Sequence, residues 1–357
     1  MVKQEVNELK KRFKKDKNNI NRVCGCYVNG EKKKLIKFKE DFLSLEEPEM
    51  FKYLDIAKKS LSGTIGNNLL ELEFPLKEEE QGGAQANLLA LKKSELKNDD
   101  ILDAFYDMVI EKYDYVGNYL ILLFYDVYDV PTKGKDKKRQ GESEAVYDYI
   151  ICAICPVVMG KAALGYNTTE TKIEVIDGTW AVKPPETAFL FPAFNERSSD
   201  IHSTLFFTKN TMEPHIEVME DILHCKAIST ADLIRDSFNN MIANAVQKTN
   251  NEEEVEETVL MVHKTLQDYL DTNGGGVHKD SDEHDILVLD KDTLHDIADE
   301  LEFDTDAVAD MDKDFDDIFG EDKIYVSKVV DTKMLKKFAW KLELISLKKQ
   351  VKKLSQK

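Results

Sequence analysis

The sequence predicts an α+β protein: a mixed β-sheet packed with helices, followed by a small, mainly helical C-terminal unit. Two runs carry the sheet, Tyr119-Leu120-Ile121-Leu122-Leu123-Phe124 and Tyr149-Ile150-Ile151-Cys152-Ala153-Ile154. Both are continuously apolar and rich in β-branched and aromatic residues, as central strands buried on both faces are. Around them lie segments whose apolar residues recur at three and four, the spacing of helices that cover a sheet. The third observation is charge. Asn251 to Asp322 holds 26 acidic residues against four lysines, a net of −22, whereas Lys323 to Lys357 has eleven lysines against two acidic residues, a net of +9. An acidic block followed by a basic tail marks a separate C-terminal unit.

The elements follow in order. Residues 2–15 read as a short basic helix with Val6, Leu9 and Phe13 on one stripe. Arg22 to Val28 is a strand ending at Asn29-Gly30, a tight-turn signal, and Lys34 to Phe42 is its return. A helix starts at Glu46, with Pro48 in its first turn and Met50, Leu54, Ala57 and Leu61 along one face, and stops at Gly63. Leu69 to Phe74 is a strand closed by Pro75. Gln85 to Leu96 and Asp99 to Tyr113 are helices, the second with two aspartates where the helix dipole favours them. Between the two apolar runs, the polar stretch from Pro131 to Glu144 reads as a surface loop. Strands at Ala188–Phe191 and Ile201–Phe207 flank a polar turn, and helices dominate from Ile216 to Tyr269. After a short strand at Ile286–Leu289, a helix carries Leu294, Ile297, Ala298 and Leu301. The tail places Leu344, Leu347, Val351 and Leu354 on one face of a basic helix.

These assignments give a main domain over 1–272, a linker over 273–284 that opens with Asn273-Gly274-Gly275-Gly276, and an acidic helical unit with the basic helix over 285–357. The chain has 357 residues, a net charge of −19 and 42% hydrophobic residues, which excludes disorder throughout and suffices for two folded units. No apolar run approaches the roughly 20 residues that span a bilayer, and the N-terminus has no signal-peptide core, so a cytoplasmic location is expected. Five cysteines without a dense, even framework fit free thiols in a reducing compartment.

Three separated motifs occur in order: Arg22-Val23-Cys24-Gly25-Cys26-Tyr27-Val28-Asn29-Gly30-Glu31, the run Tyr149 to Pro156 with Cys152-Ala153-Ile154-Cys155-Pro156, and Phe191-Pro192-Ala193-Phe194-Asn195-Glu196-Arg197 with Asp200-Ile201-His202. Together they resemble an uncharacterised family of Firmicute bacteria known as domain of unknown function 4317. The resemblance implies a bacterial intracellular protein and supplies no activity and no catalytic residue. It extends to about Asp331, after which the chain departs from the family pattern.

Five constellations bear on chemistry. Cys24, Cys26, Cys152 and Cys155, with Cys225, offer thiolates for zinc, yet Cys152 and Cys155 are three apart and point to opposite faces of a strand among apolar neighbours, as core cysteines do. Asn195, Glu196, Arg197, Asp200 and His202 gather between two strands: His202 as base or metal ligand, Asp200 orienting it, Arg197 clamping an anion, or all of them forming an ion-paired turn. Asp126 and Asp129 follow the first apolar run, where strand ends of parallel sheets hold cations or activate water. Asp310-x-Asp312-x-Asp314 with Glu321 imitates a calcium loop, but Phe315 replaces the glycine of the sharp turn. An acidic helix with Val308, Met311, Phe315 and Ile318 inward accounts for the same residues. Gly82-Gly83-Ala84-Gln85 is similar to the Gly-Gly-Gln tip of peptide release factors, interrupted by Ala84. There is no glycine-rich phosphate loop and no nucleophile elbow.

The function expected on this basis is binding or regulation through the acidic and basic C-terminal segments, with a protein partner. Net acidity leaves nucleic acid only the basic tail. The alternative is a hydrolase assisted by a divalent metal held by Asp126, Asp129, Asp200 and His202, and a remoter one is a ribosome-associated, release-factor-like protein. No cofactor or oligomeric state is specified.

Overall fold

The structure is a computed structural model that describes residues 1–14, 20–133, 139–176, 178–247, 250–273, 287–320, 324–343 and 345. It divides into two compact units, Met1–Thr230 and Ala231–Lys357. The first contains, in chain order, α1 (Lys3–Lys10), β1 (Arg22–Val28), β2 (Lys34–Asp41), α2 (Glu47–Lys59), β3 (Leu69–Glu73), α3 (Ala84–Lys93), α4 (Asp99–Lys112), β4 (Asn118–Lys133) and β5 (Arg139–Met159). Six short strands then follow, β6 (Ala163–Asn167), β7 (Lys172–Ile176), β8 (Trp180–Val182), β9 (Thr187–Phe191), β10 (Ala193–Asn195) and β11 (Ser198–Asp200), and β12 (Ser203–Thr208) completes the sheet.

The two apolar runs lie side by side, with Leu123 opposite Cys152 and Tyr125 opposite Ile150. They sit inside a sheet of order β2-β1-β4-β5-β9-β12-β3, with β8 also on β5. Every pairing between named strands is antiparallel, so the α+β class stands while the expected mixed sheet is corrected. Burial on both faces had pointed to parallel pairing. Here helices cover both faces of an antiparallel sheet instead.

One side-chain row crosses six strands as Cys24, Leu123, Cys152, Phe189, Phe206 and Leu70, and shares a core with Leu88 and Leu91 of α3 and Phe105 and Val109 of α4. The alternate row, Val23, Phe124, Ile151, Leu190 and Leu205, packs with Val6 and Leu9 of α1 and Leu54 and Ala57 of α2. Each fully buried aliphatic or phenylalanine side chain stabilises the fold by about 1.5–3 kcal/mol. Gly25 faces Phe38 across the β1–β2 pair, and a Cβ there would lie 2.2 Å from the Phe38 ring, so the ring rests on the bare backbone. α4 begins where the Asn98 side chain accepts the N–H groups of Asp100 and Ile101.

The loop expected over 131–144 is shorter, because β4 runs to Lys133 and β5 starts at Arg139; residues 134–138 lie outside the described residues. Ladder hydrogen bonds belong to the backbone, so polar composition does not end a strand. The segment 160–182, given no element from the sequence, forms β6, β7 and β8.

The second unit contains α5 (Ala231–Gln247), α6 (Glu252–Asn273), β13 (Val288–Leu289), α7 (Lys291–Glu300), α8 (Thr305–Phe319), β14 (Ile324–Tyr325), α9 (Val326–Val329) and α10 (Thr332–Lys337). Phe238, Met241 and Ile242 of α5 and Val262 and Leu266 of α6 share one core with Leu294 and Ile297 of α7 and Met311 and Phe315 of α8. The units therefore divide after Thr230 and not at the glycine run, since α5 and α6 bury their apolar faces against α7 and α8. Gly274-Gly275-Gly276, and the residues beyond Glu343 for which a basic helix was expected, apart from Ile345, lie outside the described residues. In α8 the inward residues are Ala307, Met311, Phe315 and Phe319, spaced by four, with Ile318 exposed. The calcium-loop positions from Asp310 to Asp317 are helical, and Glu321 lies outside the described residues.

Candidate functional site

Two of the sequence-derived candidates of the first unit, Asp126 and Arg197, meet the N-terminal segment. α1 carries Val6 and Leu9 into the core and Glu5 and Glu8 toward the sheet, and the 3-10 turn that follows adds Phe13 to the core and holds Arg12. Arg12 grips Asp126 with two parallel bonds, Nε to Oδ2 at 3.0 Å and a terminal nitrogen to Oδ1 at 2.9 Å, and donates also to the Val127 carbonyl at 3.1 Å. The Tyr149 hydroxyl donates to Asp126 Oδ2 at 2.7 Å. Asp126 is 1% exposed and lies inside β4, not beyond a strand end, and Asp129 is exposed on the same strand. Burial pushes the Asp126 carboxyl above its ordinary value, against the pull of Arg12 and Tyr149.

Arg197 sits at the tip of the β10–β11 hairpin. Its two central residues, Glu196 and Arg197, have φ of 49° and 58°, the left-handed region that a two-residue hairpin turn demands and side chains resist. α1 holds this tip. The Arg197 side chain bonds both oxygens of Glu8, at 2.8 and 3.1 Å, and its N–H donates to Glu5 Oε1 at 3.1 Å. The Tyr128 hydroxyl donates to the same Glu8 at 2.7 Å.

Asp200 accepts from the Asn195 amide at 2.8 Å and from the His202 N–H at 3.1 Å. Burial acts to raise its carboxyl, but these donors outweigh it and hold Asp200 below the usual carboxylate range. The His202 ring turns to Glu79, Nδ1 to Oε1 at 2.6 Å, which lifts the imidazole above its ordinary value. Asp126, Arg197, Asp200 and His202 thus each have a structural partner. Asp126 and His202 share none, and among the described residues no three His, Cys, Asp or Glu side chains come together as a metal would require. The strand-end reading of Asp126 and Asp129 fails because it assumed parallel strands.

The cysteines are core residues. Cys24, Cys26, Cys152 and Cys225 pack on one face and Cys155 on the other, as the spacing of Cys152 and Cys155 requires. Burial pushes the thiols up, to about 12 for Cys24 and Cys225, about 11 for Cys26, and well above the ordinary value for Cys152 and Cys155. Thiols so placed do not supply the thiolates that zinc needs. Gly83 caps α3, where a Cβ would meet the Glu78 carbonyl oxygen at 2.3 Å, and Gln85 is buried with its amide donating to the Ile201 carbonyl at 3.0 Å. Gly82-Gly83-Ala84-Gln85 is therefore a helix start, not a presented tip.

The second unit offers a different surface. Between α6 and α7 lies a groove of about 260 Å³ lined by Thr265, Asp268, Tyr269 and Thr272 on one side and Thr293, Asp296, Ile297 and Glu300 on the other. Its carboxylates lie on the solvent side of helices whose apolar residues point into the core. Sequence reasoning saw the acidic block and missed the groove. It also missed Glu5, Glu8, Arg12, Glu79 and Tyr149, of which the first three were legible as the polar edge of an amphipathic helix.

Fold and sites together define an α+β protein with a helix-covered antiparallel sheet and an acidic helical unit. No described helix is long and apolar enough to cross a membrane. A family model, domain of unknown function (DUF4317), matches residues 1–356, and the chain belongs to that family. The match includes the basic tail, so the departure expected after Asp331 does not hold. No curated protein and no solved structure matches the chain.

Proposed function

We propose that the chain is a binding protein whose acidic helical unit receives a lysine- or arginine-rich segment of a protein partner. The observation that carries this reading is the groove between α6 and α7, with Asp268, Asp296 and Glu300 around Tyr269 and Ile297. Carboxylates at a rim and apolar groups within suit a side chain with an aliphatic stem and a cationic head. Among the described residues of this unit, Lys264 pairs with Asp268, Lys291 with Asp316 at 2.6 Å and Lys341 with Glu256 at 3.5 Å. The lysine-rich tail has the chemistry of the proposed partner segment, so it competes for the groove and regulates access to it.

Calorimetric titration of the full chain with a lysine-rich peptide tests the reading. Binding is expected at low salt, weakened by added salt, and lost in the triple variant Asp268→Asn, Asp296→Asn, Glu300→Gln. Removing residues 344–357 is expected to tighten it. No heat at low salt in either chain, or binding indifferent to the three substitutions, rejects the proposal.

A further inference from the structure

β5 does not end its pairing at the sheet. Val157 to Met159 pair with β8, Gly160 N–H donates to the Thr179 carbonyl at 2.9 Å, and β6 then pairs with β7 in the same register. A Cβ at Gly178 would lie 1.7 Å from the Gly160 carbonyl oxygen, so the ribbon narrows there to bare backbone. Beyond this point β6 and β7 form a two-stranded sheet of their own.

The register puts Leu164 opposite Val175 and Tyr166 opposite Ile173, all on one face. That face is open: Leu164 is 76% exposed, Tyr166 55%, Ile173 65% and Val175 64%. The other face carries Lys172, paired with Glu170 and, at 2.9 Å, with Glu174. A two-stranded ribbon is marginal in water by itself, and here it presents four large apolar side chains in two cross-strand pairs.

We propose that this face is the contact through which two copies of the chain pair. The four β6–β7 face residues are uncharged, so the face is self-complementary, as a twofold contact requires. From the areas implied by aliphatic and aromatic burial, the four side chains expose about 300 Å² per copy. With the polar rim that forms roughly two-fifths of an interface, two copies bury about 1,000 Å², the threshold of a specific association. A lipid surface fits less well, because Glu170 and Glu174 flank the ribbon and the chain carries a net charge of −19. The proposal concerns the first unit and is independent of the groove.

Sedimentation equilibrium of the full chain is the test. The wild type is expected to show twice the 40.9 kDa chain mass, and Leu164→Glu or Tyr166→Glu to raise the dissociation constant at least about 100-fold. Glu174→Gln, on the opposite face, leaves the mass unchanged. A second measurement does not depend on weakening the ribbon: a short bis-maleimide links two copies of Ile173→Cys and not two copies of Glu174→Cys. A wild type that stays monomeric at about 100 μM overturns the proposal. So does a dimer indifferent to both glutamate substitutions, cross-linking that ignores the face, or a monomer that floats with anionic vesicles.

Discussion

His263 provides the sharpest quantitative test of the second unit. The ring is fully buried; its Nε2 meets Asn239 Oδ1 at 2.7 Å, and its Nδ1 accepts the Asp331 N–H at 3.3 Å. An amide oxygen accepts and a backbone N–H donates, so these partners fix the neutral imidazole with its proton on Nε2. Protonating Nδ1 would set two N–H groups against each other. Burial, with a contribution from Arg235 and against that of Asp331, depresses the pKa to about 4. The unfolded chain takes up this proton near pH 6.5, whereas the folded one waits until about pH 4. Stability is therefore complete above pH 6.5 and falls as pH drops, by about 2 kcal/mol between pH 7.5 and pH 5 and by about 3 kcal/mol below pH 4. Urea unfolding of the full chain across pH 5–7.5, followed by hydrogen exchange at α5 and α6 amides, measures the loss. His263→Gln, which cannot titrate, is expected to flatten the profile by about 2 kcal/mol. A His263 resonance titrating near pH 6.5, or an unchanged slope in the variant, refutes the reasoning.

Two further outcomes follow from packing. Gly25→Ala forces a methyl into the Phe38 ring and is expected to cost about 1–3 kcal/mol in urea unfolding, recovered in part by Phe38→Leu; full stability of the single variant contradicts the close approach. The five thiols are expected to resist Ellman's reagent in the native chain and to react together once it is denatured. Rapid labelling of any native thiol would contradict their place in the core.

Much of the fold was legible because it rests on strong periodicity. The apolar runs of β4 and β5, the stripe of Met50, Leu54 and Ala57 in α2, and the two aspartates that open α4 are local signals that the tertiary structure reinforces. β6 and β7 were missed although Leu164 and Tyr166, and Ile173 and Val175, alternate as strands do, because each run is only five residues long and bounded by polar segments. Parallel and antiparallel pairing cannot be told apart from burial alone, and the error carried over to Asp126. The sequence marks Asn195, Glu196, Arg197, Asp200 and His202 as a polar cluster in one turn. The partners of Arg197 and Asp126 were not legible, since Glu8 lies 189 residues from Arg197 and Arg12 lies 114 from Asp126. The unit boundary was misplaced because glycine and charge mark surfaces and turns, whereas shared burial decides which helices belong together.

That Asp126 and Arg197 fasten α1 to the sheet, and do not await a ligand, is tested most directly by hydrogen exchange at the amides of residues 3–13. Removing one partner of a buried ion pair costs about 3–5 kcal/mol, so Asp126→Ala is expected to speed exchange in α1 by at least about 100-fold, with Arg197→Ala acting in the same direction. Unchanged protection of α1 in both variants would contradict the structural role and return these residues to the list of groups that act on something else.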